Sequence, residues 1–282
     1  MDHASLNALV QMPKIDCHVH VIDPARFPYR ADTKYQPHSA EIVPLAHLIR
    51  MMDLHGIAHA VIVGTNSGYG EDLSPVLDAL DRGEGRFKGI AVVPNDASIT
   101  ELTRLKARGI AGVAINATYN GVQHYDDAAD LFKRLADLGM ILQLQVENDQ
   151  LLHFLPAIES SSATLVIDHC GRPDPRLGLD QPGFKALLDL GRAGRASVKL
   201  SGLTKFSHQQ YPWADSHPFF ATLVAAFTPQ SCVWASDWPF LRATERVDVS
   251  PLLMLLGQLV PDAADRQKVM WETPRRLFGF SN

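Results

Sequence analysis

The chain has 282 residues, of which 46% are hydrophobic and 20% charged, and its formal net charge is -5. These values are typical of an ordinary folded domain, and the lack of a lysine- or arginine-rich cluster argues against a nucleic-acid partner. No apolar run approaches the roughly 18 residues of a membrane span, so we expect no membrane partner. The three cysteines form no C-x-x-C pair and the N-terminus lacks a secretion signal, which together indicate a cytoplasmic protein.

Short apolar segments alternate with amphipathic ones along the whole chain. The first thirteen residues are expected to form a loose lead-in or a short helix. A long loop over 23–44 follows the first strand, and loops of this length are usually functional, so we predict that it forms part of a site wall. Strands are predicted at 14–20, 58–63, 89–93, 111–116, 140–145, 164–169, 196–201 and 232–237. Helices are predicted at 44–56, 73–80, 99–107, 127–138, 151–158, 184–190, 219–227, 252–259 and 264–277.

This alternation predicts the fold class. Apolar strands joined by helical crossovers indicate a parallel sheet that is covered on its outer face. Eight such units fit an α/β fold of the TIM, or (β/α)₈, barrel type, with residues 1–282 as a single domain. The alternative is a doubly wound open sheet. It needs fewer strands and usually has a glycine-rich phosphate loop after the first one, which this sequence lacks.

His18 and His20 stand two residues apart at the end of the first predicted strand. Side chains at this spacing point to the same face of a strand, so the two imidazoles would aim at one point. Such a pair suits a divalent metal ion or the polarisation of a carbonyl oxygen, although a solvated strand end can show the same pattern. Cys17 is expected to point to the opposite face, which makes a cysteine nucleophile a minor alternative.

Other polar residues end the predicted strands in the same way. In a TIM barrel the carboxyl ends of the strands meet at one mouth, where active sites lie. Taken singly, these residues have structural explanations: a turn at His169, an Asx turn at Asp237, an ion pair at Lys199 and a satisfied interior amide at Gln145. Taken jointly with the histidine pair, they predict a hydrolytic or metal site. The polar residues at the strand ends are His18, His20, Asn116, Gln145, His169, Lys199, Ser201 and Asp237.

Four segments carry a family resemblance. They read IDCHVH at 15–20, VIDHCGRPD at 166–174, VKLSG at 198–202 and WASDWP at 234–239. Together they resemble the amidohydrolase-2 family of the amidohydrolase superfamily, and within it the lactonase-like group of 2-pyrone-4,6-dicarboxylate and sugar lactonases. The likeness extends from about residue 14 to residue 280. It implies a distorted (β/α)₈ barrel that acts on lactones or related carboxylated rings.

The resemblance also implies roles for individual residues. Asp237 would be the general base that activates water, while His18, His20 and His169 would polarise the lactone carbonyl. Alternatively, these four residues would hold a single divalent metal, zinc or manganese; the resemblance is equally consistent with no metal being required. Substrate contacts are expected from Tyr35, Asn116, Gln145, Arg172, Lys199 and Lys205.

Two positions depart from the family pattern. Ala114 stands where the pyrone-dicarboxylate lactonases have an arginine, which indicates a substrate with at most one carboxylate. Gln145 stands where metal-dependent members have a histidine, which argues against a binuclear centre. The sequence therefore predicts a hydrolase that opens a small lactone. The alternatives are a metal-dependent decarboxylase of an aromatic or enol acid, a lactone isomerase, and a catalytically silent binding barrel. A homo-oligomer is one option for its assembly.

Overall fold

A computed structural model describes residues 3–243, 245 and 247–281 of the chain. Its eight strands form one sheet in the order β1 to β8, and all neighbouring strands run parallel. The predicted TIM barrel is thereby confirmed. The strands are β1 (Lys14–Val19), β2 (Ile57–Val63), β3 (Phe87–Ala91), β4 (Ile110–Asn116), β5 (Ile141–Gln145), β6 (Thr164–Ile167), β7 (Ala196–Leu200) and β8 (Cys232–Trp234).

Helices alternate with the strands and cover the sheet. The segment predicted as one helix over 264–277 consists instead of two short helices that flank a π-helical turn, Lys268–Glu272. No helix in the described part of the chain is long and apolar enough to cross a membrane. The helices are α1 (His3–Gln11), α2 (Leu45–Leu54), α3 (Ser74–Arg82), α4 (Ile99–Ala107), α5 (Ala117–Asn120), α6 (Ala129–Asp137), α7 (Leu151–Ser160), α8 (Pro182–Arg192), α9 (His217–Phe227), α10 (Val249–Leu259), α11 (Ala263–Gln267) and α12 (Thr273–Phe278).

The strands bury apolar side chains on both faces, as expected for a covered parallel sheet. Val113 and Ile115 of β4 belong to the large cluster that the helices cover, whereas Val61 and Val166 belong to a second, inner cluster. Phe280 also packs against the inner cluster. The chain end thus contributes to the packing that supports the barrel from below the site.

Lys14 is fully buried at the start of β1. Its Nζ donates hydrogen bonds to the carbonyl oxygens of Val10 at 2.8 Å and His55 at 2.9 Å. These carbonyls lie at the ends of α1 and α2, where backbone acceptors lack partners within the helix and a cation is favourable. Lys14 therefore joins two helix ends to the first strand, at the end of the barrel remote from the histidines.

The two end strands of the sheet meet through residues that follow β8. The backbone N–H of Asp237 donates to the carbonyl of His18 at 3.0 Å, and that of His20 donates to the carbonyl of Trp238 at 2.9 Å. The buried carboxylate of Asp16 accepts the N–H of Ser236 at 2.9 Å. These bonds close the barrel and bring the histidine pair beside Asp237.

Candidate active site

A cavity of about 390 Å³ opens at the carboxyl ends of the strands, where active sites of this fold lie. It brings together eight of the ten residues predicted for the site. The two others, Tyr35 and Lys199, do not border it. The eight that do are His18, His20, Asn116, Gln145, His169, Arg172, Lys205 and Asp237.

Three imidazoles converge on one carboxylate oxygen in this cavity. The Nε2 atoms of His18, His20 and His169 each lie 3.8 Å from Oδ1 of Asp237. This distance is too long for a direct hydrogen bond, so a water molecule or a substrate atom can be bound between the rings and the carboxylate. The other carboxylate oxygen, Oδ2, forms an ion pair with Nζ of Lys205 at 3.2 Å.

In two of the imidazole rings, the nitrogen that points away from Asp237 forms a hydrogen bond. Nδ1 of His20 donates to the carbonyl oxygen of Val63 at 2.8 Å, and Nδ1 of His169 shares a hydrogen bond with the hydroxyl of Ser201 at 3.0 Å. Asp237 adopts a left-handed backbone conformation, with φ of 65°. These contacts orient the Nε2 atoms and the carboxylate towards the cavity.

A second polar layer lies directly beneath His18 and is fully buried. Nζ of Lys199 donates to Oε1 of Gln143 at 2.6 Å and forms an ion pair with Oδ1 of Asp168 at 2.9 Å. The same Nζ lies 3.2 Å from Nδ1 of His18. Nε2 of Gln143 donates to Oδ2 of Asp168 at 2.8 Å, which completes the layer.

The contribution of Gln143 and Asp168 to this layer is not among the predictions from the sequence. The available signal was polarity inside a strand: Gln143 stands between two leucines of β5, two residues before Gln145 and so on the same face. Lys199, predicted to contact substrate, has no exposed surface and holds this layer instead.

Burial and neighbouring charges set the protonation of the site. The pKa of His18 is lowered to about 3, chiefly by burial and also by the ammonium of Lys199, against the opposing effect of Asp168. Burial also lowers the pKa of His169. Burial alone would raise the pKa of Asp237, but Lys205 and the imidazoles hold it well below its usual value. Near neutral pH the site therefore presents a carboxylate beside neutral His18 and His169.

The cavity wall carries fixed amides and three cations. Oδ1 of Asn116 accepts from the backbone N–H of Tyr119 at 3.1 Å, and Nε2 of Gln145 donates to the hydroxyl of Thr118 at 2.9 Å. Arg172 forms an ion pair with Glu147 at 3.0 Å. With Lys205 paired to Asp237, one cation remains among the described residues of the wall.

That remaining cation is Arg242, which borders the cavity. Its guanidinium lies 5.7 Å from the ring centre of Tyr35 and makes no ion pair with any residue that the structure describes. Arg242 is not among the residues predicted for the site, because it follows β8 in an irregular segment without a motif. Of the cations on the wall that the structure describes, it is the one available to an anionic ligand.

The loop at 23–44 lies elsewhere than predicted. None of its residues borders the main cavity; Arg30, Thr33 and Lys34 border a neighbouring cavity of about 180 Å³. The hydroxyl of Tyr35 donates to Oε2 of Glu41 at 2.7 Å, within the same loop. The loop is a wall of the smaller cavity, and the prediction that it forms the wall of the main one is wrong.

Cys17 also differs from its predicted orientation. The pairing of β1 with β2 has a register irregularity between Asp16 and Val19, so strict alternation along β1 is interrupted. Cys17 packs in the inner apolar cluster below the histidines, fully buried. Burial raises the pKa of its thiol well above the usual value, which makes it a poor nucleophile.

One group of side chains has the proximity that a metal ion requires. Donor atoms of His18, His169 and Asp237 all lie within 4.8 Å of one another. His20 is outside this group, in contrast to the predicted set of four ligands. Within the described residues, the geometry therefore allows three protein ligands for a single ion.

Comparison with known proteins agrees with this fold. The 4-sulfomuconolactone hydrolase of Rhizobium radiobacter is 33% identical over 274 residues, which cover 94% of this chain and 89% of that protein. The 2-pyrone-4,6-dicarboxylate hydrolase of Comamonas testosteroni is 27% identical over 277 residues, with the same two coverages.

A solved structure and a family profile extend the comparison. The structure of a probable 2-pyrone-4,6-dicarboxylic acid hydrolase from Acinetobacter baumannii, with citric acid bound, superposes with a TM-score of 0.85 at 26% identity. The match covers 95% of this chain and 99% of that one. The amidohydrolase family profile (amidohydrolase-2) matches residues 15–280. The predicted resemblance is confirmed, and the chain belongs to the amidohydrolase family.

Proposed function

We propose that this protein is a hydrolase that opens a small lactone. The observation that carries the proposal is the convergence of three imidazole Nε2 atoms on Oδ1 of Asp237, each at 3.8 Å, inside a cavity of about 390 Å³. A base beside several polar groups is the arrangement that ester hydrolysis needs. The relatives named as lactone hydrolases, at 27–33% identity, support the same class of reaction.

Asp237 acts as the general base in this proposal. Its Oδ1 takes a proton from a water molecule as the water oxygen bonds to the carbonyl carbon of the lactone. The bond from that carbon to the ring oxygen then breaks, and the proton passes from Asp237 to the ring oxygen. One lactone and one water give one open-chain hydroxy acid, with the base regenerated.

Lys205 orients this base. Because its ammonium binds Oδ2 at 3.2 Å, the carboxylate stays ionised and its Oδ1 is left free for water. The Lys205 side chain is fixed in turn, since its Nζ also donates to the carbonyl of Leu241 at 2.6 Å. Lys205 thus serves the base in this proposal rather than the substrate.

The imidazoles divide two further tasks. Val63 accepts the Nδ1 proton of His20, so a neutral His20 presents a bare Nε2 that can accept a hydrogen bond from the attacking water. His18 and His169 face the position where negative charge develops on the carbonyl oxygen. Hydrogen-bond donors fixed there stabilise the transition state more than the ground state.

Superfamily members often use a divalent metal, and a single zinc or manganese ion held by His18, His169 and Asp237 would act as a Lewis acid. Two ammonium groups oppose such an ion. Nζ of Lys205 lies 3.2 Å from Asp237 Oδ2, and Nζ of Lys199 lies 3.2 Å from His18 Nδ1. In a metal-binding histidine, the ring nitrogen that does not bind the metal normally donates to a hydrogen-bond acceptor and does not face a cation. Because of these two ammonium groups, the surroundings of the three donors do not fit a divalent ion, and we propose that hydrolysis requires none.

The test is product analysis on purified protein. The panel contains 4-sulfomuconolactone, 2-pyrone-4,6-dicarboxylate and a neutral sugar lactone, and NMR identifies the product of each. We expect an open-chain acid from at least one member. A ring isomer would indicate the isomerase alternative, release of CO₂ the decarboxylase, and inert lactones throughout would overturn the proposal.

The metal requirement is tested on the same preparation. Elemental analysis of protein purified without added metal should show well under one zinc or manganese per chain. Prolonged dialysis against a chelator should leave the rate unchanged. A stoichiometric ion, lost together with activity and restored by zinc, would contradict the metal-free proposal while leaving lactone hydrolysis intact.

A further inference from the structure

The buried layer beneath His18 has no part in the reaction as described so far. Lys199, Gln143 and Asp168 have at most 1% of their surface exposed. Gln143 and Asp168 border the cavity, whereas Lys199 does not border it and so does not reach substrate. The layer nevertheless touches the reacting groups at one atom, because Nζ of Lys199 lies 3.2 Å from Nδ1 of His18.

We propose that Lys199 is a positioning residue that fixes the tautomer of His18, so that its proton is on Nε2 and faces the cavity. An ammonium carries three N–H bonds and has no lone pair. The imidazole nitrogen that faces it at hydrogen-bond distance must therefore be a bare acceptor. Both nitrogens of an imidazolium carry protons, which the same contact excludes. The remaining state is a neutral ring with its proton on Nε2.

The three contacts of the ammonium are consistent with this assignment. Nζ of Lys199 donates to Oε1 of Gln143 at 2.6 Å, pairs with Oδ1 of Asp168 at 2.9 Å and meets Nδ1 of His18 at 3.2 Å. Gln143 is itself oriented, because its Nε2 donates to Asp168. The Oε1 atom of Gln143 must then face the ammonium. Lys199 cannot turn away from the His18 ring without leaving a hydrogen-bond acceptor unpaired.

Asp168 is the competing partner for the same imidazole nitrogen. Its Oδ1 lies 3.5 Å from Nδ1 of His18, which is beyond the ordinary range for N–H···O hydrogen bonds. This oxygen has the ion pair with Lys199 but no hydrogen bond. Without the ammonium, Asp168 would accept a proton on Nδ1, and the ring would present a bare Nε2.

The two tautomers give His18 opposite capabilities. With the proton on Nε2, His18 donates a hydrogen bond to the developing oxyanion and cannot ligate a metal through that atom. With the proton on Nδ1, it can ligate a metal through Nε2 and cannot donate there. The kinetic consequence rests on the proposed lactone hydrolysis, whereas the tautomer itself does not.

The experiment combines ¹⁵N-histidine NMR with a Lys199→Met variant. Two-bond ¹⁵N–¹H correlations of the substrate-free protein distinguish protonated from bare ring nitrogens. The His18 signals are identified by their loss in His18→Gln. We expect a protonated Nε2 in the wild type and a protonated Nδ1 in Lys199→Met. We also expect the variant to lose on the order of 10²-fold in kcat with little change in KM, as for an oxyanion donor.

The variant should also acquire affinity for metal. After dialysis against zinc and then buffer, Lys199→Met should retain at least tenfold more zinc per chain than the wild type. Lys14→Met is the matched control, because Lys14 is likewise fully buried but lies at the opposite end of the barrel from the site. It should leave the His18 signals, kcat and zinc content unchanged.

Each result bears on a separate statement. A wild-type spectrum with a protonated Nδ1 on His18 overturns the inference, as does an unchanged tautomer in Lys199→Met. If that variant does not fold, the wild-type spectrum alone decides. If the wild type shows the expected tautomer but opens no lactone, the proposed function fails and the role of Lys199 stands.

Discussion

Replacing Asp237 by asparagine separates the charge of this side chain from its shape. The amide occupies the same space but cannot accept a proton from water, and the backbone bond from residue 237 to His18 remains. Removing a general base costs about 10²- to 10⁴-fold in rate. This corresponds to about 3 to 5 kcal/mol of transition-state stabilisation. We therefore expect kcat to fall by at least about 10²-fold, with KM nearly unchanged.

The same change affects stability less. Lys205 loses its ionic partner, and breaking a fully buried pair costs about 3 to 5 kcal/mol. The cost here should be nearer 1 to 2 kcal/mol because Lys205 is partly exposed and keeps its bond to the carbonyl of Leu241. The variant should therefore be folded at room temperature, which circular dichroism and urea unfolding check.

Asp78→Asn is the matched control for Asp237→Asn. Asp78 also pairs with cations, Arg26 at 2.7 Å and Arg82 at 3.0 Å, but it lies on α3 outside the cavity. Its replacement should leave kcat within twofold. If a folded Asp237→Asn retains kcat within fivefold of the wild type, Asp237 is not the base.

Three further predictions address substrate charge and stability. Arg242→Ala should raise KM for an anionic lactone about tenfold, or about 1.4 kcal/mol, and leave a neutral lactone unaffected; equal KM changes for both would contradict a charge contact. Since Arg172 and Lys205 already have carboxylate partners, a monocarboxylated or neutral lactone should exceed 2-pyrone-4,6-dicarboxylate at least tenfold in kcat/KM, and the reverse preference would refute this. Burial lowers the pKa of Lys14 from 10.5 to about 8, so between these pH values the unfolded chain binds more protons at this residue than the folded chain. The contribution of Lys14 to the free energy of unfolding must then rise with pH across that window. The difference between the urea midpoints of the wild type and Lys14→Met should therefore shift in favour of the wild type between pH 7.5 and pH 9.5.

The barrel was predictable because its strands are apolar on both faces and regularly spaced. Periodicity does not fix where a strand stops. β6 ends at Ile167 and β8 at Trp234, two and three residues earlier than predicted. The residues just beyond, His169 and Asp237, have left-handed backbones with φ of 51° and 65°. Such conformations depend on tertiary contacts that a single sequence does not display.

The site residues could be predicted where a polar motif ends a strand. They could not be predicted where tertiary contacts determine the position of a side chain. His18, His20, His169 and Asp237 do converge, as the strand ends indicated. Lys199 looked like a substrate contact because it is polar near a strand end. Only the register between neighbouring strands shows that it faces Gln143 and Asp168 in the interior.

The same limit applies to the first loop. Its length indicated a functional role, but its position follows from contacts that its composition does not reveal. Val43 pairs with Ile22 across the base of the loop, and the backbone N–H of Asp23 donates to the hydroxyl oxygen of Tyr69. The loop thereby borders the neighbouring cavity and not the one that the histidines border.

The bonds between β1 and the segment after β8 have a consequence for how the protein is made. Ser236 and Asp16, which hydrogen-bond to each other, are 220 residues apart, and His18 and Asp237 lie on the same two segments. In a nascent chain the segment with the histidine pair is made well before the segment with Asp237. Contacts of such long sequence separation form late, since the entropy of closing the loop must be overcome first. His18 and Asp237 are thus kept apart until synthesis has passed residue 237, and under the proposed mechanism a fragment that ends before Asp237 lacks the general base.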